Sequence, residues 1–107
     1  MPFQAFELAI DLVRTLNPIV DALAQHDPDL ARQLRRSRTS VPLNLQEGRR
    51  RAGRDRIQLW RVASGSVDEV YATLRTAQAA GYLDGVDLTA ALTLCDRLLA
   101  ITWTLTH

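Results

Sequence analysis

The sequence predicts an all-α fold, an antiparallel up-down four-helix bundle. Apolar residues recur every three or four positions in four successive segments, the spacing of one helical face. No run alternates apolar and polar residues as a half-buried strand does. The breaks between segments are short and built from Pro, Gly and Asp. At 107 residues the chain fits a single domain, residues 1–107. Its core is small enough that self-association would add stability.

The first helix is expected over about residues 3–25. Phe6, Ile10, Val13, Leu16, Val20 and Leu23 form its apolar stripe. Pro18 removes one backbone donor inside it, so a kink is expected there rather than a break, because the stripe continues beyond it. Asp27-Pro28-Asp29 combines an N-cap acid, a proline at the first helical position and a charge that suits a helix N-terminus. It opens a second helix over about 28–51, with Leu30, Leu34, Val41 and Leu45 inward and the small Ser37 between them. Pro42 interrupts that helix, and Gly48 weakens its end.

Gly53 separates the second helix from a third over about 54–80. There Ala63, Val67, Val70, Leu74 and Ala77 are spaced four, three, four, three, a heptad seam suited to shallow helix crossing. Gly81 is the expected stop. Asp84-Gly85 makes a turn, and Asp87 is placed to cap a fourth helix carrying Leu88, Leu92, Cys95, Leu99 and Thr102 on one face. Leu12, Ile19, Leu43, Leu59, Leu94 and Ile101 lie off these stripes and predict a second buried face.

Charge is the least even property of the chain. Ten of its thirteen arginines fall between Arg32 and Arg61, with only Glu47 and Asp55 against them, a formal +8. The remainder carries three arginines and ten acids, a formal −7, so the net +1 hides the split. Such asymmetry points to an oppositely charged partner, nucleic acid first. Arg49, Arg50, Arg51, Arg54 and Arg56 surround one turn and are the candidate phosphate contacts. The competing reading pairs the arginines with acids such as Asp68, Asp84 or Asp96 of a neighbouring subunit. Trp60 could stack a base, but a lone helical tryptophan more often belongs to a core or an interface.

Other chemistry finds little footing. Cys95 lies among Leu92, Leu94, Leu98 and Leu99 and reads as an inert core thiol. His26 and His107 sit in a loop and at the last position, so Glu47 and Glu69 lack the Glu-x-x-His partner of a di-metal bundle site. No catalytic residue set, metal or cofactor is expected. The first residues, Met1-Pro2-Phe3-Gln4, show no signal peptide, and no apolar run is long enough to span a membrane. The default location is the cytoplasm.

Pro42 frees the carbonyl of Arg38, and Ser40, Asn44 and Glu47 are close enough in sequence to satisfy such groups. Ser64-Gly65-Ser66 offers a small patch on the third helix for close approach. These observations predict a polar network of Asn44, Ser66, Glu47 and Glu69.

The same residues carry a resemblance. Gln33-Leu34-Arg35-Arg36, then Ser40-Val41-Pro42-Leu43-Asn44-Leu45-Gln46-Glu47-Gly48 followed by Arg49, resembles the signature of bacterial 23S rRNA intervening-sequence proteins. Leu59-Trp60-Arg61-Val62-Ala63-Ser64-Gly65-Ser66, followed by Glu69 and Leu74, is similar to a second familial stretch, as is Gly81-Tyr82-Leu83. Leu45 and Gln46 depart from the usual isoleucine and alanine. The resemblance implies a four-helix bundle without established activity. A related branch is the accessory variability protein of diversity-generating retroelements. Through it the resemblance implies a ring-like homo-oligomer, a homopentamer, that contacts RNA or DNA and takes a reverse transcriptase as protein partner. It also marks Ser40, Pro42, Asn44, Glu47, Gly48, Gly65, Ser66 and Glu69 as a structural motif.

Overall fold

The computed structural model describes residues 3–107; the reading made at Met1 and Pro2 lies outside them. Four helices account for most of this chain, α1 Gln4–Ala24, α2 Pro28–Arg49, α3 Gly53–Ala79 and α4 Thr89–Thr106, and no strand occurs among the described residues. The body measures 42 × 22 × 20 Å. Helices α1 and α2, α2 and α3, α3 and α4, and α4 and α1 pack side by side around one core.

The helix ends follow local chemistry. Asp27 is extended and its carboxylate accepts from the Leu30 backbone N–H at 3.0 Å, capping α2, with Pro28 at the first helical position. Gly81 at φ +80° and Gly85 at φ +79° make the α3–α4 connection in the left-handed region that a side chain disfavours. Asp87 accepts from Thr89 N at 2.9 Å at the start of α4, and these bonds hold its carboxyl below the usual carboxylate range.

Pro18, exposed, stays within an unbroken α1, as buried Pro42 does within α2. The turn before Pro18 is fastened to α2: the Arg38 guanidinium donates to the Val13 carbonyl at 3.2 Å and to Asn17 Oδ1 at 2.8 Å. Arg38 Nε is buried with no hydrogen-bond partner among the described residues. Burial, followed by repulsion from Arg35, lowers the pKa of Arg38, with Asp21 opposing.

The core departs from the expected stripes. On α1 it runs through Ala5, Leu8, Ala9, Leu12, Leu16, Ile19, Val20 and Leu23. Phe6, Ile10 and Val13 are only half-buried, and Leu12 and Ile19, expected on a second face, are core. The inward face instead includes Ala5 and Ala9, small residues that weigh little in an apolar pattern and are fully buried. On α4, Ala91, Cys95, Leu98 and Thr102 are buried, while Leu92 and Leu99 flank them half-exposed. The α3 seam is as spaced, with Ala63, Val67, Val70, Leu74 and Ala77 all fully buried. Leu94 and Ile101 pack against the core, whereas Leu43 is 69% exposed. Burial pushes the Cys95 thiol up to about 12, with Asp96 and Asp68 adding to the rise.

Candidate nucleic-acid interface at the α2–α3 turn

The α2–α3 turn stands at one end of the 42 Å axis, because α2 and α3 run nearly its full length at about 1.5 Å per residue. The opposite end holds the other two connections, where His26 stacks on Tyr82 at 5.5 Å between centroids. Those connections carry Asp27, Asp84 and Asp87, while Asp29 in the first turn of α2 is paired to Arg32 at 2.8 Å. The basic end of the molecule thus holds the arginine turn, and the acidic end holds these aspartates, with Arg32 the cation paired among them.

At the basic end Arg49, Arg50, Arg51 and Arg54 are exposed and Arg56 is half-buried. They hold different local positions. Arg51 is paired to Glu47 on its own helix turn at 2.8 Å and reaches Asp55 at 4.0 Å. Arg49 lies over the Phe3 ring at 5.7 Å. The Arg56 guanidinium donates to the Gly48 carbonyl at 3.2 Å and to the Arg49 carbonyl at 3.1 Å, closing the end of α2. Arg50 and Arg54 project from either side of the turn into solvent. Gly53 takes φ +60° where α3 begins, and no side chain caps that N-terminus among the described residues. Its free N–H groups face the same turn, where helix geometry favours an anion.

The turn is held by Trp60. Its indole Nε1 donates to the Leu45 carbonyl at 3.1 Å, and Arg56 covers the ring at 5.4 Å. Phe3 packs on it at 5.5 Å. Trp60 is buried, so it supports the turn from within and offers no face to a base.

The polar contacts of the motif lie along one seam, between α2 and α3. Ser66 Oγ donates to Ser40 Oγ at 2.8 Å, and Asn44 Nδ2 donates to the Ser40 carbonyl and hydroxyl, each at 2.9 Å. This satisfies polar groups beside buried Pro42. Ser37 donates to Glu69 Oε2 at 2.8 Å, one turn along. Glu47 stands apart from both, engaged with Arg51, so the expected four-residue network divides into three separate groups. Gly65 does not mediate close approach, since a Cβ there would meet no atom within 4 Å. The close contact is at Gly48. Of the serines flanking Gly65, Ser64 meets Thr102 at 3.1 Å.

One feature escaped the sequence reading. Trp103 on α4 is 63% exposed and stacks on His107 at 3.5 Å, with 16° between the ring planes. Both line a groove between α3 and α4. The signal was present in the helical periodicity, which places Trp103 one position beyond inward-facing Thr102.

No group of three or more His, Cys, Asp or Glu side chains among the described residues is placed to hold a metal ion, and no helix is long and apolar enough to cross a membrane.

No curated protein matches the chain. It is similar in fold to a protein of unknown function from the S23 ribosomal protein family of Bacteroides thetaiotaomicron, solved by crystallography. That match has a TM-score of 0.85 at 14% identity and covers 95% of this chain and 97% of that one. The profile of the 23S rRNA-intervening sequence proteins matches residues 2–103. With nearly its whole length matched, the chain belongs to the 23S rRNA-intervening sequence protein family.

Proposed function

We propose that this protein is a non-enzymatic, homo-oligomeric accessory protein whose basic end contacts RNA or DNA with little sequence specificity. The observation that carries this is the basic turn. Arg49, Arg50, Arg51, Arg54 and Arg56 converge there with the uncapped start of α3, and the acids of the loops lie at the far end. Phosphates are the ligand such a surface suits, and an arginine set without a base-reading element favours backbone contact over sequence readout.

In this reading the helices form an up-down bundle. Hydrogen bonds link Ser37 with Glu69, Ser40 with Ser66 and Leu45 with Trp60, so partners descend α3 as they climb α2. Exposed Leu43 and Val62 support self-assembly into a ring, and the pentamer implied by the family resemblance is the size to test. A ring would present the basic turn once per subunit. The resemblance to the accessory variability protein makes a reverse transcriptase the protein partner to try first; the cytoplasm is the default site of action. A second reading has specific support in the same exposed residues: Leu43 lies one turn-pair from both Arg36 and Arg50, so the arginines would flank a subunit contact.

Fluorescence anisotropy with a labelled single-stranded RNA and a DNA duplex, from 50 to 200 mM salt, separates these readings. The nucleic-acid reading expects affinity to fall steeply with salt, with a slope of log affinity against log salt of about −0.9 per neutralised phosphate on duplex. The double variant Arg50→Glu, Arg54→Glu is expected to weaken binding at every salt and flatten that slope. Binding that is unchanged in this variant refutes a phosphate contact at the turn.

A further inference from the structure

The groove between α3 and α4 has no part in the bundle core, yet it is furnished for a flat ligand. It measures about 620 Å³ and is lined by Arg61, Ser64, Asp68, Leu99, Trp103 and His107, among others. That volume lies within the range of small-molecule sites, about 300–1,000 Å³. The His107 imidazole covers one side of the Trp103 indole, and the indole is still 63% exposed. A rigid aromatic plate backed by a second ring is a stacking platform, and every nucleobase has a face to set on it.

Position gives the groove its ligand. Arg61 on its wall is the last arginine of the basic block, seven residues from Arg54, or about 10 Å along the helix. Its guanidinium donates to the Thr106 carbonyl at 3.2 Å, so it ties the end of α4 to the basic end of α3. A strand whose phosphates follow Arg50, Arg54 and Arg61 arrives at Trp103 without crossing the acidic end. Asp68, one helical turn beyond Ser64, contributes the only carboxylate among the residues named above. A carboxylate repels phosphate but accepts from the N–H groups of a base edge, and guanine offers two adjacent donors at N1 and N2.

Building on the nucleic-acid reading above, we infer that the α3–α4 groove takes one unpaired base of a bound single strand. The base stacks on Trp103, and Asp68 favours guanine by accepting from its N1–H and N2–H. A paired base cannot enter, so the groove distinguishes single strands from duplex.

The test uses a U11 RNA strand, the same strand with one central guanine, and a duplex of equal length. Binding is followed by anisotropy and by quenching of the exposed tryptophan. The guanine strand is expected to bind more tightly than U11 and to quench emission. Trp103→Ala should weaken single-strand binding about 5- to 100-fold and abolish the quench, leaving duplex binding within twofold. Trp103→Phe should recover part of the loss, and Asp68→Asn should erase the guanine preference. Since Trp103 and Asp68 are exposed, unchanged circular dichroism is expected in all three variants. Equal loss on duplex, or no loss in Trp103→Ala while Arg50→Glu, Arg54→Glu still weakens binding, overturns the base site and leaves the basic-end reading standing. If the wild-type protein binds none of the three probes, both fall together.

Discussion

Gly48 and Trp60 are in such close contact that a single methyl group on the glycine would lie 2.6 Å from both Cδ1 and Nε1 of the indole. The absence of a side chain at Gly48 lets Trp60 lie against α2 and reach the Leu45 carbonyl. Gly48→Ala would gain about 1 kcal/mol of helix propensity. Against that stand a displaced buried ring and a broken hydrogen bond, together about 2–4 kcal/mol. Net destabilisation of about 1–3 kcal/mol is expected by urea denaturation, with altered Trp60 emission in the native state. A variant as stable as the wild type would show that the ring moves aside at little cost.

Arg56 differs from its neighbours in the basic turn because its guanidinium closes the α2 C-terminus. Arg56→Ala should cost about 1–2 kcal/mol of stability through the freed carbonyls and the lost cover on Trp60. Arg50→Ala and Arg54→Ala should each lie within about 0.5 kcal/mol of wild type. Thermal melts of the three single variants give this ranking directly.

Ser66→Ala removes the hydroxyl that joins α3 to Ser40 of α2. Asn44 still bonds Ser40, so the loss should be that of one hydrogen bond, about 1 kcal/mol. Combining it with Asn44→Ala should cost more than the two single changes measured apart, since both satisfy one hydroxyl.

Cys95 ordinarily titrates at 9.0, and burial raises this to about 12. The folded protein thus favours the neutral thiol. The stability tied to the thiol is complete below about pH 9 and is lost as pH rises toward 12. At pH 8 the native protein should resist thiol reagents and label only as fast as it unfolds. The stability difference between wild type and Cys95→Ala should narrow from pH 9 upward. Rapid native labelling at pH 8 would contradict the burial.

Leu43 projects into solvent from a helix whose inward face is already full. Leu43→Glu should leave the fold intact and, under the ring reading, reduce the mass seen by light scattering toward the 12.0 kDa of one chain. An unchanged assembly mass would move the contact elsewhere.

The helices were legible because each is bounded by residues whose chemistry acts locally: Asp27 and Pro28, Gly53, Gly81, Asp87. The seam of α3 was legible for the same reason, since its spacing is strict. Which side of α1 faces inward was not, because Ala5 and Ala9 weigh little in an apolar pattern. The arginine turn could be placed from the chain alone. The separate duties of Arg51 and Arg56 could not, since they depend on partners at Glu47 and on the carbonyls of Gly48 and Arg49. Burial of Trp60 likewise required knowing that Gly48 leaves room for its indole.

The separation of basic and acidic ends along 42 Å sets how the protein would sit on a polyanion. It would stand upright, resting on a cross-section of 22 × 20 Å. At about 3.4 Å per base step that footprint spans roughly six steps, so many copies fit on a short stretch. Each would raise its aspartates outward, giving a coated strand an acidic outer surface where the bare one showed phosphate.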